Sequence, residues 1–183
     1  MRRYWFPKPY ADLVARLRVP SGFLLVVVFI WLARPTLESL ALWLPVSLVG
    51  LWLRGWAAGH LAKNQQLVNT GPYAYLRNPL YLGTLLVAAG LVLASREPIL
   101  ALLFGAVFVL IYLPVIEQEE QHLRKLFPEF EDYANQVPLL RPRLTPFAKG
   151  AFQWALYRKN EEYQALLGFL AGTAVLVFKT VWF

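Results

Sequence analysis

"NPLYLGTLLVAAGLVLASREPILALLFGAVFVLIYLPVI", residues 78–116, contains one arginine and one glutamate, Arg96 and Glu97, side by side near its middle. On either side lies an uncharged stretch, 78–95 with 18 residues and 98–116 with 19. Runs of about 18 or more uncharged, mostly apolar residues are long enough to cross a bilayer as helices. The connection "SREP", residues 95–98, is too short to let the two legs part, so they must return on each other as an antiparallel hairpin. The stretch therefore predicts an integral membrane protein.

Three further uncharged runs, 19–33, 39–53 and 163–178, have 15 or 16 residues each. That is short of the roughly 20 needed for a span, but their flanks can extend them. Arg16 and Arg18, Arg54, and Lys179 can snorkel to headgroups, and Trp31, Trp56, Trp182 and Phe183 suit the interface. The prediction is an all-α membrane protein with about five transmembrane helices. Composition agrees: 58% of residues are hydrophobic and 16% charged, against about 25% charged in soluble domains. The first run begins roughly twenty residues in, and no small-x-small site follows "IWLARPTLES", so it reads as a retained helix rather than a cleaved leader. With no cysteine there is neither a disulfide framework nor a thiolate metal site, and two histidines exclude a multi-histidine one.

Five spans alternate the connecting segments between two sides. One side receives 15 of the lysines and arginines and the other receives Arg34, Arg96 and Lys179. Cytoplasmic segments carry the positive excess, so the N-terminus is expected inside and the C-terminus on the opposite side. The net charge of +7 then marks orientation and contact with anionic headgroups, and no basic groove suggests nucleic acid.

The chain reads as a single membrane domain, 1–183. Residues 1–18 form an interfacial lead-in, 19–59 the first two spans, 64–143 the hairpin with its polar segments, and 144–183 an amphipathic piece and the last span. In the lead-in, Leu13, Val14 and Leu17 share one helical face, with Arg16 and Arg18 off it. Gly50, Gly55 and Gly59 allow close helix packing, within the chain or between copies; the oligomeric state stays open. His60 reads as an interfacial polar residue and His122 as a solvated one.

Just before the hairpin stands "GPYAYLRNPLYLG", 71–83, and just after it "EQEEQHL", 117–123. The two legs are nearly equal in length, at about 1.5 Å per helical residue, so these polar stretches are expected to face each other at the cytoplasmic surface. Glu117 and Glu120 are i,i+3 neighbours, Glu120 is i,i+4 to Arg124, and Glu119 points elsewhere. Polar groups converging at membrane depth are functional by default. The structural alternative is a solvated carboxylate cap, with Arg77 closing the hairpin by a salt bridge.

The two stretches resemble the signature of the isoprenylcysteine carboxyl methyltransferase and phospholipid methyltransferase superfamily, small membrane enzymes that use S-adenosylmethionine. Gly71, Pro72, Tyr73, Arg77, Pro79 and Tyr81 match its first half. Glu119, Glu120, Leu123 and Phe127, then Phe130, Tyr133, Val137 and Pro138, match its second. Asn78 departs from the pattern, standing where the family has histidine; it hydrogen-bonds but cannot carry a proton. Pro128 departs too, where glycine is usual.

The resemblance implies S-adenosylmethionine as cofactor, in a cofactor site at the cytoplasmic face, and a lipid or lipophilic acceptor, carboxylate or amine, entering from the bilayer. It implies Arg77 as the anchor of the cofactor's carboxylate and Glu120 with Glu119 as cofactor-facing carboxylates, Arg77 and Glu120 being the catalytic pair. Tyr73, Asn78, Pro79 and Tyr81 complete the cofactor set. Two other functions compete: a membrane reductase using NADPH on a sterol-like substrate, and a non-catalytic scaffold of the same fold.

Overall fold

In the computed structural model, residues 5–146 and 148–182 are described. The expected interfacial anchor Phe183 and the charges Arg2 and Arg3 lie outside them. Eight α-helices follow one another among the described residues: α1 Lys8–Leu32, α2 Leu37–Ala58, α3 Pro79–Ala94, α4 Pro98–Val107, α5 Leu113–Leu126, α6 Phe130–Gln136, α7 Trp154–Lys159 and α8 Tyr163–Trp182. A π-helical segment, Phe108–Tyr112, joins α4 to α5, so that Pro98–Leu126 is a continuous helix of 29 residues. The fold is that of an all-α membrane protein.

Four helices are long and apolar enough to cross a membrane: α1, α2, Pro98–Leu126 and α8. The fifth expected span is present as α3, but with 16 residues it is shorter. Its ends explain why. Pro79 fixes the first turn. At the other end Arg96 takes a positive φ of 57° and Glu97 caps α4 by accepting the N–H of Ile99, which gives the tight turn expected of "SREP". Large apolar side chains such as Phe23, Val27, Trp52 and Leu102 lie exposed on these helices, as lipid-facing residues must.

The lead-in is not a separate piece. Helix α1 begins at Lys8 and continues through Pro20 to Leu32. Proline removes one backbone donor inside a helix, here the one that would meet the Arg16 carbonyl, and membrane helices tolerate such a proline. Of the face expected to be apolar, Val14 is buried, while Leu13 and Leu17 are exposed.

The chain gathers into two compact units. The first comprises 1–47, 88–120 and 171–183. Its core is Ala33, Leu40, Ala94, Leu100 and Leu176, with Phe29, Trp43 and Leu91 packed around them. Ser39 donates to the Ala94 carbonyl at 2.7 Å, and its hydroxyl and that of Thr36 accept each other's backbone N–H, which starts α2. Lys179 does not reach outwards as expected. Its ammonium donates to the carbonyls of Ile30 and Trp31 at 2.8 and 3.0 Å, closing the C-terminal turn of α1.

The second unit comprises 48–87 and 121–170. Arg54, expected to snorkel, is turned inward. Its guanidinium forms a two-pronged pair with Glu162, Nε to Oε1 at 2.6 Å and Nη2 to Oε2 at 3.0 Å, and Nη1 donates to Thr84. Apolar burial leaves the two charges few alternatives to each other. Asn160 closes α2 by donating to the carbonyls of Ala58 and Leu61, both at 2.9 Å.

Gly50, in α2, and Gly59, just after it, serve packing inside the chain. A Cβ on Gly50 would lie 2.6 Å from the Gly83 carbonyl oxygen and 2.7 Å from the Val87 nitrogen. On Gly59 it would meet the Phe152 ring. Because the obstructing atoms at Gly50 are backbone, no rotamer change relieves the clash. Gly50→Ala should therefore cost about 1–3 kcal/mol, seen as a lower unfolding temperature in detergent. Gly22→Ala is the control: a Cβ at Gly22 meets nothing within 4 Å, and the substitution should be neutral or stabilising.

Candidate functional site

The segment 71–79 begins as a short 3₁₀ turn, Gly71–Ala74, and ends where Pro79 opens α3. Between them the chain has no regular helix, so its backbone groups need partners elsewhere. They find them in α6 and the residues after it. Arg77 N–H donates to the Pro138 carbonyl at 2.8 Å and Asn78 N–H to that of Leu139 at 3.2 Å. The Tyr75 carbonyl accepts from Arg143 N–H at 3.0 Å, and the buried Tyr133 hydroxyl donates to the Tyr73 carbonyl at 2.8 Å. Behind this lies a core of Phe130, Tyr133, Ala134 and Val137, with Leu67, Leu123 and Phe127 against it.

Arg77 is the side chain that locks the arrangement. Its Nη1 donates to the carbonyls of Ala134 at 2.6 Å and Val137 at 2.8 Å. These belong to the end of α6, whose last carbonyls lack helical partners. The guanidinium plane is thus fixed by backbone, and its charge sits at the negative end of that helix. Tyr73, Asn78 and Pro79 are buried and Tyr81 is half-buried. Five of the seven expected cofactor residues, Tyr73, Arg77, Asn78, Pro79 and Tyr81, therefore share the second unit.

Glu119 and Glu120 belong to the first unit, on α5. Glu120 is buried and Glu119 exposed. Their neighbour Glu117 is engaged by the start of the chain: its carboxylate accepts the backbone N–H groups of Trp5 and Phe6 at 2.5 and 3.0 Å. Gln118 likewise donates to Asp12 at 2.6 Å.

His60 corrects an expectation. It is not an interfacial side chain but only 5% exposed. Its Nδ1 lies 2.9 Å from the Trp56 carbonyl oxygen, and its ring is edged by Trp56 and Phe152. Gly71, at φ +56°, lies directly against the imidazole: a Cβ there would sit 2.5–2.6 Å from Cδ2, Cγ and Nε2. The glycine of the Gly-Pro-Tyr turn is thus required both by its left-handed backbone and by this ring. Tyr75 joins the same group through Trp56, with ring centroids 6.1 Å apart. The one sequence signal for His60 was its place among small residues at the end of the second span. His122, by contrast, is exposed as expected. Among the described residues, no group of three or more His, Cys, Asp or Glu side chains is placed to hold a metal ion.

The phospholipid methyltransferase family matches residues 17–129, which include the segment 71–79, the helical hairpin and Glu119 and Glu120 of α5. The chain belongs to this family. Two curated relatives carry other names. It is 36% identical over 118 residues to the nickel-cobalt-cadmium resistance protein NccN of Alcaligenes xylosoxydans xylosoxydans, covering 64% of this chain and 54% of that one. It is 33% identical over 128 residues to the cobalt-zinc-cadmium resistance protein CzcN of Cupriavidus metallidurans, covering 69% and 58%. The chain spans little more than half the length of these relatives. No solved structure matches it.

The geometry makes a specific demand on Arg77. Lysine keeps the charge but cannot repeat the planar guanidinium's two bonds from a fixed position. Arg77→Lys should loosen the junction of 75–78 with 137–143. Amide exchange at Arg77 and Asn78 should quicken by about tenfold, while amides in the core of α1 stay protected. Unchanged exchange at both would show that the guanidinium does not hold the junction.

Proposed function

We propose that the protein transfers a methyl group from S-adenosylmethionine to a lipid or other lipophilic acceptor. The observation that carries this reading is the family match, which runs through every residue of the expected cofactor set. The site's chemistry is compatible with that cofactor. Arg77, fixed by two carbonyls, and the opening turn of α3 suit a carboxylate. The buried Asn78 amide and the hydroxyls of Tyr73 and Tyr81 supply polar edges, and Trp56 and Tyr75 supply flat apolar surface.

In this reading Arg77 anchors the cofactor's carboxylate, and Tyr73, Asn78, Pro79 and Tyr81 shape its berth. For Glu119 and Glu120 the assignment as cofactor-facing carboxylates rests on the resemblance alone. When bound, S-adenosylmethionine supplies an electrophilic methyl group. The protein's share is to align the acceptor and exclude water, since in-line displacement gains mainly from positioning. Apolar helices with exposed aliphatic faces give a lipophilic acceptor a route through the bilayer. The lysine and arginine bias supports a cytoplasmic N-terminus, on the side where the cofactor is available.

A second reading comes from the relatives, both named for resistance to metals. It assigns the methylated product to a metal-stress response and leaves the chemistry unchanged.

Calorimetry on detergent-purified protein tests the cofactor. S-adenosylhomocysteine should bind with micromolar affinity, and Glu120→Gln, a change that preserves shape, should weaken it by about tenfold, the weight of one hydrogen bond to a charged group. NADPH should give no heat. NADPH binding in place of S-adenosylhomocysteine would select the reductase, and no binding of either by folded protein would select the scaffold.

A further inference from the structure

We propose that His60 is the proton acceptor of the methyl transfer, its Nε2 touching the nucleophilic N–H or O–H of the acceptor. The proposal rests on the methyl-transfer reading above and adds to it a residue outside the family signature.

The ring's protonation state follows from its contacts. A carbonyl oxygen only accepts, so the 2.9 Å approach of Nδ1 to Trp56 O requires the proton on Nδ1. In the neutral imidazole Nε2 is then a bare lone pair. That atom is buried, and it has no hydrogen-bond partner among the described residues. An unsatisfied buried polar atom is costly and calls for an explanation. A structural histidine explains the Nδ1 bond but not the unmet nitrogen.

The surroundings connect the ring to the Gly-Pro-Tyr segment. The ring stands against Gly71, the first residue of the segment that carries Tyr73, Arg77 and Asn78. Tyrosines aside, the other buried polar side chains of the second unit, among the described residues, are Asn78 and Glu162. Asn78 cannot take up a proton, and Glu162 is bound to Arg54. The chain's other histidine, His122, is exposed. His60 is thus the buried imidazole available beside a motif that here has asparagine in the family's histidine position. A bare Nε2 also selects the acceptor: it attracts an N–H or O–H and repels an ionised carboxylate.

The step balances. The acceptor's lone pair forms a bond to the methyl carbon of the sulfonium donor, and the carbon–sulfur bond breaks with its pair left on sulfur. The acceptor's proton passes to Nε2. One positive charge leaves the sulfonium and appears on the imidazolium, which later releases the proton to water.

Because the chain has two histidines, His122→Gln leaves a single one to observe. In nanodiscs, ¹⁵N-histidine spectra of that variant should show Nδ1 protonated and Nε2 bare. With S-adenosylhomocysteine bound, the Nε2 resonance should move when phosphatidylethanolamine, which carries N–H, replaces phosphatidylcholine, which does not. His60→Gln, which can accept a hydrogen bond but not a proton, should bind S-adenosylhomocysteine within about threefold of wild type. It should release it from S-adenosylmethionine in phosphatidylethanolamine nanodiscs at least about 100-fold more slowly. A proton on Nε2 at rest, an unmoved resonance, or an undiminished rate in His60→Gln overturns the proposal. If wild-type protein fails to bind S-adenosylhomocysteine, the methyl-transfer reading falls and His60's role with it; binding with an unmoved resonance removes His60 alone.

Discussion

Two hydrogen bonds from one nitrogen of Arg77 close the end of α6 and fix the non-helical segment before α3 against it. A membrane protein can satisfy its backbone inside helices wherever it meets lipid, but a turn rich in proline cannot do this for itself. The segment 71–79 borrows carbonyls from 134–139 instead, and in doing so holds its own side chains still. The rigidity that a binding site requires is here a by-product of backbone accounting.

The same device recurs. Lys179 closes α1, Asn160 closes α2, and Arg77 closes α6. Each donor comes from a distant part of the sequence and answers carbonyls left over at a helix end. Polar side chains near the ends of apolar runs are ordinarily read as headgroup contacts, as Lys179 was. In this fold they serve as bonds between elements. Arg54 with Glu162 makes the point more strongly, since two opposite charges flanking different spans meet inside the second unit.

The Arg77 geometry also changes how the site is understood. An arginine reserved for a ligand carboxylate would be expected to reach for it. This one is held by main-chain oxygens, which preset its charge and plane. The carboxylates of α5 divide in an analogous way, with Glu117 taken up by the N–H groups of Trp5 and Phe6 and Glu120 buried. Structural and functional demands thus fall on adjacent residues of one motif, and the motif alone does not apportion them.

The helices were legible in the sequence because they obey a local rule: uncharged length against bilayer thickness. The "SREP" turn, the solvated His122 and the family resemblance were likewise local, a matter of residue type and spacing. What the sequence left undecided depended on residues far apart in the chain. It did not separate internal packing from a dimer contact for Gly50, because only the backbone of α3 at Gly83 and Val87 answers that. It placed His60 at the interface, because nothing within a few residues reveals that Trp56, Gly71 and Phe152 enclose it. It split α1 into a lead-in and a span, since the uncharged run begins only after Arg16 and Arg18, while the helix passes through both. Hydrophobic length acts residue by residue along the chain. The partners of a buried polar group are chosen only when distant segments come together.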